Sequence, residues 1–580
     1  MLETFCLRST SNQPALRIGL LLDSYIQPAW IVQILEHIRA SDFARIEFII
    51  LNEAAQKPFG SGGRVPLPVR AIRVLRDPLK RKRLLYSWYL KWDQKTFKPS
   101  NDPFRRVDCT ELLSGFDRIA VRPVTKGFTH RFTPEDLKLV QGRNLDVMLR
   151  FGFNILRGDI LKAARYGVWS YHHGDNDYYR GGPAHFWEIY EKHPISGVLL
   201  QVLSEELDGG QVLCKAHLPT QQGLSLGLNR MKPYWTGSFF VIRKLHELHQ
   251  YGWEHVAARF VPNRPVEGRT KIYRSPVNSE MVRFIGPRLT RKAFNRLTRR
   301  DGLLHWRIAI RADPARFWSP GKALDMTGFR WLEPPKGHFW ADPFLHEHQG
   351  KTWMFFEDFL YAEDRGVISC LEILPGGKVS DARRVLERPY HLSFPFVFEH
   401  ESEIYMIPET GEKKTVELYR AKQFPVEWEF QKTLFEGAIA LDTILWKEQD
   451  LFWFFVTLVQ PLQAGPQLFL FYADSLTGKW MYHPSNPISM DIRRARGAGS
   501  IFVENGKRIR PSQDGSLGYG YACHLNEILR LTPDEYEEHT VEAILPTWLP
   551  GLLGTHTYNR SRCVEAVDGK IRVPRSAHLG

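Results

Sequence analysis

The hydrophobic pattern of the chain changes once, near Trp306, and that change requires two different kinds of fold. Before it, wholly apolar runs alternate with helical patterns. After it, short aromatic and β-branched runs are separated by Gly, Pro and Asp turns. In the first part, Arg17–Asp23 and Ile46–Leu51 are apolar strands. Between them lies a helix with Trp30, Ile34, Leu35 and Ile38 on one face. Strand, helix, strand with no polar face on the strands is the pattern of a parallel sheet covered on both sides. Residues 135–167 repeat it around the strand Leu145–Arg150. In the second part, the runs 353–357, 403–407, 451–456 and 468–472 read WMFFE, EIYMI, LFWFFV and LFLFY. Similar strand pairs return roughly every 50 residues, a period typical of propeller blades. Four units, at 339–359, 393–410, 441–456 and 500–528, leave a fifth for the first and last strands to close together.

The expected fold class is therefore α/β, with a Rossmann-like parallel sheet over residues 1–220. A helical, basic linker region follows at 221–303, and a five-bladed β-propeller at 304–580. A chain of 580 residues is too long for one core, in keeping with this division. The 17 tryptophans among 13% aromatic residues suit a β-rich or sugar-binding half, because flat rings pack on pleated surfaces and sugar faces.

The net charge of +14 calls for a polyanionic partner such as a nucleotide, a phosphorylated sugar or an anionic lipid. Nucleic acid is not expected, since no stripe interleaves aromatic and basic residues as RNA readers do. The charge is densest at 283–300, where Leu289, Phe294 and Leu297 recur at near-helical spacing. That helix reads as a solvated linker, with peripheral contact to an anionic membrane as its alternative use. The six cysteines form no CxxC pair, which argues against a zinc ribbon or a disulfide scaffold. No basic n-region with an apolar h-region opens the sequence, and the location expected is cytoplasmic.

Chemistry concentrates at Ser170–Gly181, SYHHGDNDYYRG, and at Glu206–Gly210, ELDGG. A histidine at a strand end can reach a reacting atom, and a carboxylate from a later loop can orient it, the usual division in acid–base catalysis. His172-His173-x-x-x-Asp177 also fits the core of peptide-synthetase condensation domains. Tyr178 stands where that motif needs Gly, and the α/β context is wrong for it.

The stretch resembles the folate-dependent formyltransferases, whose pattern is Asn-x-His-Pro-Ser-x-x-Pro-x-Tyr-Arg-Gly, then an apolar-Gly-Val segment, then Asp-x-Gly. This sequence supplies His172, Tyr179, Arg180 and Gly181, then Ser196-Gly197-Val198, then Asp208-Gly209-Gly210. The resemblance implies a formyl donor, 10-formyltetrahydrofolate, and an amine acceptor, free or glycan-linked, such as an amino sugar. It makes His172 and Asp208 catalytic, with Ser170 in place of the family asparagine. Leu149, Phe151, Gly152, Asn154, Ile155, Leu156, Leu203 and Glu206 would line the pterin pocket. His173, Arg180 and Gly181 would meet the acceptor, and no metal is implied.

The second half resembles the propeller of the plant glucosamine inositolphosphorylceramide transferases. The residues behind this are Phe339–Phe344 (FWADPF), Ser393–Phe398, Tyr405–Thr410, Arg510–Asp514 and Gly554–Tyr558. It implies a polar centre built from Asp342, Glu357, Glu409, Asp442, Arg510, Asp514 and His556. Facing carboxylates suit glycoside chemistry, while acids at strand ends also cap turns. Two functions follow: N-formylation of an amino sugar, or a glycan-acting or glycan-binding propeller beside a degenerate formyltransferase domain.

Overall fold

A computed structural model of the chain describes residues 7–55, 77–206, 209–264, 266, 271–297, 302–459 and 464–574. It separates into two compact units, with the main division between Leu297 and Thr298.

The first unit is built on a seven-stranded sheet. Its strands are β1 Leu16–Leu22, β2 Ala44–Asn52, β3 Asp117–Val121, β4 Val147–Arg150, β5 Val168–His172, β6 Ile195–Val202 and β7 Gln211–Pro219, in the order β7-β6-β5-β4-β1-β2-β3. The pairs β5/β4, β4/β1, β1/β2 and β2/β3 are parallel, while β6 and β7 form an antiparallel edge. The parallel sheet expected from the apolar strands is thus present. Helix α1, Ala29–Ala40, buries Trp30, Ile31, Ile34, Leu35 and Ile38. Each such side chain removed from water contributes about 2 kcal/mol. The helix ends where Ser41 turns its N–H back to the carbonyls of His37 and Ile38. Because the chain leaves β1 toward β2 on one side and reaches β4 on the other, the carboxyl ends of β1 and β4 border a switch point, where open α/β sheets hold ligands.

The longer of the other helices described in this unit are α2 Leu84–Thr96, α3 Leu226–Gly237, α4 Phe240–Ala258 and α5 Asn278–Leu297. Ser225 caps α3 by accepting the Leu228 N–H. The Tyr171 hydroxyl of β5 donates to Gly237 at the end of α3, 2.7 Å away. The segment expected as a separate linker at 221–303 is therefore helical but integrated. Its apolar residues Leu226, Met231, Phe240, Val241, Leu245 and Leu248 are buried, which a solvated linker could not achieve.

Among the described residues, the second unit has five antiparallel sheets in chain order. The first pairs Gly302–Arg311 with Glu565–Pro574, so the beginning and end of the unit close one sheet together. The others lead with His338–His348, Ser393–His400, Ile439–Glu448 and Arg496–Gly497. Consecutive sheets touch. The fifth returns to the first where the Tyr558 N–H bonds the Ala498 carbonyl at 2.8 Å.

One local device recurs. Between Ala341 and Phe344, Ser393 and Phe396, and Leu441 and Ile444 the register slips by a bulge. The residue after the first of each pair, Asp342, Phe394 or Asp442, has positive φ of 46–49°. Aspartate tolerates this region better than most residues. The cross-strand partners of the residues just before these are Glu357, Glu409 and Thr457. The bulge and its partner position thus recur in successive sheets, and these positions carry the polar residues described next.

Candidate functional site

In the α/β unit, β5 delivers Ser170 and His172 to one face and Tyr171 and His173 to the other, as strand alternation requires. His172 lies at the strand end, with Nε2 3.1 Å from the Tyr179 carbonyl oxygen. Asp208, its expected partner, falls outside the described residues. Ser170 is buried, and its hydroxyl accepts a hydrogen bond from Arg150 Nε at 2.9 Å. The same guanidinium holds the carbonyls of Phe153 and Asn154. The serine is thus linked through Arg150 to the backbone loop, and its own O–H lies 3.4 Å from the Tyr171 carbonyl.

His173, expected to meet the acceptor, lies in an aromatic stack. Its ring stacks on Tyr234 with centroids 3.7 Å apart and meets the edge of Trp30, and burial depresses its pKa well below the usual histidine value. Gly181 has φ +86°, and a Cβ there would sit 2.4 Å from the Tyr273 oxygen. It lets Arg180–Gly181 pair with Ile272–Tyr273, a packing role that the motif could not disclose.

The expected pterin loop divides in the same way. Leu149 and Leu156 are buried core residues, and Leu203 packs against that core. The Phe151 and Gly152 N–H groups both donate to Leu21, and a Cβ on Gly152 would strike Asp23 N at 2.4 Å. Asn154 lies against His130, and Ile155 pairs with Thr129. Glu206 is exposed, its N–H bonded to Ser204. Strand ends and loops meet at the switch point, but most of these side chains are spent on the fold.

Pattern reading missed a buried ion cluster here. Lys215 Nζ lies 2.5 Å from Asp175 and 2.7 Å from Asp177, and His217 Nε2 lies 3.1 Å from Asp175. Burial opposes ionisation of Asp175, yet His217 and Lys215 hold its carboxyl well below the usual range. The Gly-Asp-Asn-Asp run gave a signal, but its partners lie 38 and more residues away on β7.

The second unit gathers carboxylates from different sheets. Asp568 is fully buried and accepts four hydrogen bonds, from the backbone N–H groups of His556, Thr557 and Asp342 and from His556 Nδ1 at 2.6 Å. Burial opposes its charge, but His556 and these N–H groups keep its pKa low. His556 Nε2 faces Asp342 Oδ1 at 3.6 Å and the Tyr519 hydroxyl at 3.3 Å. Its ring stacks on Trp306, centroids 4.0 Å apart. Burial disfavours the imidazolium, but Asp568 and Asp342 outweigh it and raise the pKa of His556.

Asp342 is pushed up to about 6 by burial and by the like charges of Asp568 and Asp442, against the pull of His556. Glu357 is driven well above the carboxylate range by burial, then by Asp342 and Glu409. His391 takes the Gly366 N–H on Nδ1, so its Nε2, 3.4 Å from Glu357, carries the proton. Glu409 rises to about 8 through burial and Asp442, with Arg496 opposing. Asp442 itself is held in a bidentate grip by Arg496, at 2.6 and 2.9 Å, and its N–H donates to Glu409. Tyr519, 56% exposed, has the Arg496 guanidinium and the Lys570 ammonium over its ring.

Five of the seven residues expected at the propeller centre, Asp342, Glu357, Glu409, Asp442 and His556, belong to this cluster. Arg510 and Asp514 do not. Gln513 instead reaches Asp442 and the Gly497 carbonyl. Asp514, one residue on, turns to Ser516 and His524. Arg510 bonds Glu538 on another strand of its own sheet. A one-residue error in phase moves a side chain to the other face. Asp568 and Arg496 went unseen because each lies in a segment without the aromatic run that marks a blade.

Residues 334–559 match the family model described as glucosamine inositolphosphorylceramide transferase 1, N-terminal. A curated relative of that name from Oryza sativa subsp. japonica is 35% identical over 206 residues, covering 35% of this chain and 28% of its own. Its namesake from Arabidopsis thaliana is 32% identical over 206 residues, covering 35% and 27%. The chain spans less than a third of the length of these relatives. Among solved structures, glycinamide ribonucleotide transformylase 1 from Symbiobacterium toebii is 14% identical, covering 45% of this chain and 97% of its own, with a TM-score of 0.28. Bacteroides ovatus xyloglucan PUL GH43B is 12% identical, covering 41% and 53%, with a TM-score of 0.30. At such TM-scores neither likeness bears on function.

Three expectations are corrected by these relatives. They are named as transferases of a glucosamine and ceramide-lipid system, so the folate-dependent formyltransferase assignment is withdrawn. The 10-formyltetrahydrofolate donor goes with it. The cytoplasmic location is withdrawn too, because the lipid in the relatives' name is a membrane component. No helix among the described residues is long and apolar enough to cross a membrane.

Proposed function

We propose that the second unit is a five-bladed propeller whose acidic centre acts on a glycan, and that the first unit is a degenerate member of the fold it resembles. The observation that carries this is the split of neighbouring carboxyls into two states. Glu357 is pushed well above the carboxylate range by burial and Glu409 to about 8, while Asp568 is held low and Asp342 is raised only to about 6. Carboxyl groups with pKa values driven apart are what glycosidic acid–base chemistry needs. Glu357 would protonate the departing sugar oxygen. Asp342, ionised above about pH 6, would take the proton from the incoming hydroxyl or water. His556 would balance the charge, and Tyr519 would stack on a sugar face. The relatives' name suggests the substrate class: an amino sugar joined to an inositol phosphate lipid. The chain's excess of cations suits such a phosphate.

The test is turnover and binding with aryl glycosides, glucosaminides among them, and with inositol-phosphate glycans. Glu357→Gln and Asp342→Asn should each lower turnover at least about a thousandfold in folded protein. A protein that binds no sugar, or turnover unchanged in Glu357→Gln, overturns this assignment.

A further inference from the structure

Helices α2 and α5 lie side by side in the first unit, with Tyr89 against Phe284 at 5.5 Å and Asn278 bonding both Leu85 and Arg81. Their inner faces bury Tyr86, Tyr89, Met281 and Phe284. Their outer faces are unusual. Leu84 is 48% exposed and Trp88 58%, one helical turn apart, with Trp88 stacked on Trp92 at 6.4 Å. Lys91 and Lys95 continue the same stripe, and Arg81 and Lys82 precede it. On α5, Val282 is 62% exposed and Leu289 49%, beside exposed Arg283. None of Arg81, Lys82, Lys91, Lys95 and Arg283 has an ion-pair partner among the described residues.

We infer that the outer faces of α2 and α5 dock the protein onto an anionic membrane surface. Large apolar side chains and unpaired cations on one exposed helix face are the mark of a helix lying in the bilayer interface. Tryptophan and leucine enter the headgroup boundary while lysine and arginine meet lipid phosphates. A nucleic-acid ligand fits less well, because Leu84, Val282 and Leu289 are aliphatic and offer nothing to a base or a phosphate. Of the basic run that begins at Arg283, Arg283 itself is exposed on this surface. Arg288 turns inward, giving its guanidinium to the carbonyls of Phe284 and Ile189. This inference is independent of the propeller's chemistry.

The full chain is floated with vesicles of phosphatidylcholine alone or with about 30% phosphatidylserine, at about 0.1 M and about 0.5 M salt. Binding to the anionic vesicles should be at least about tenfold stronger and should fall with salt. Trp88→Ser and Lys91→Glu/Lys95→Glu should each weaken it at least about fivefold. All three positions are exposed, and unchanged circular dichroism verifies the fold. Equal binding to both vesicle types, variants that bind like the parent, or capture of single-stranded RNA without capture of vesicles overturns the inference.

Discussion

His556 Nδ1 lies 2.6 Å from Asp568, and the backbone N–H of the same histidine donates to the other carboxylate oxygen at 2.8 Å. Asp568 therefore fixes both the ring and its main chain. With the Thr557 and Asp342 N–H groups added, it stays charged although fully buried. Nδ1 points inward and Nε2 is left facing Asp342 and Tyr519. Asp568 acts through His556, as a positioning residue, and Glu357 and Glu409, which lack such a set of donors, are pushed up by burial instead.

Asp568→Asn should keep the size of the side chain but remove the charge that raises His556, and it turns an NH2 group toward two of the four donors that Asp568 accepts. The pH at which His556 titrates should fall by at least about 1, measured by nuclear magnetic resonance of labelled imidazole. The unit should also lose about 3–5 kcal/mol, because a buried imidazolium loses its counter-ion. A histidine that titrates at its old pH would remove Asp568 from this role.

Glu409, at about 8, retains its proton where the unfolded chain, near 4.5, has lost it. The folded state then binds one proton more than the unfolded state across that interval, so stability falls as pH rises, by up to about 1.4 kcal/mol per pH unit. Glu409→Gln should flatten this slope and raise stability at pH 7–8. Denaturant midpoints of parent and variant between pH 5 and 8 decide it, and parallel curves would contradict it.

Arg510 provides a control for the centre. Its pairing with Glu538 is buried and apart from the acidic cluster, so Arg510→Met should cost about 3–5 kcal/mol through the stranded Glu538. Sugar binding by the protein that remains folded should be unchanged, measured by calorimetric titration below the new melting point.

How far the sequence could be read depended on the range of the interactions. The apolar run at 17–23 gives β1 directly, and Ala341-Asp342-Pro343-Phe344 marks a bulge that recurs at 393–396 and 441–444. These are local patterns, set by burial and backbone preference. Side-chain direction is less legible. His173 and His172 look alike in a motif, but alternation along β5 sends one into an aromatic stack and the other to the strand end. Asp514 and Gln513 differ in the same way. Partners distant in sequence were invisible: Asp568 reaches Asp342 only because the last long strand closes the first sheet, and Lys215 meets Asp175 only across the β5–β6–β7 edge.

That edge supports a final prediction. Lys215 is 5% exposed and lies within 2.7 Å of two aspartates, so Lys215→Met buries two carboxylates with only His217 left to balance Asp175. The loss at pH 7 should be about 3–5 kcal/mol. In the parent, Asp175 has its folded pKa pulled below the unfolded value near 3.9. It therefore stabilises the unit above that pH, and the stabilisation is lost as pH falls through and below it. Without Lys215 the dependence weakens, because His217 alone is left to oppose burial, and protonation relieves the site. Urea midpoints of the first unit at pH 4.5 and pH 7 should show the variant much closer to the parent at the lower pH. An equal deficit at both pH values would mean that Lys215 stabilises the edge by packing alone.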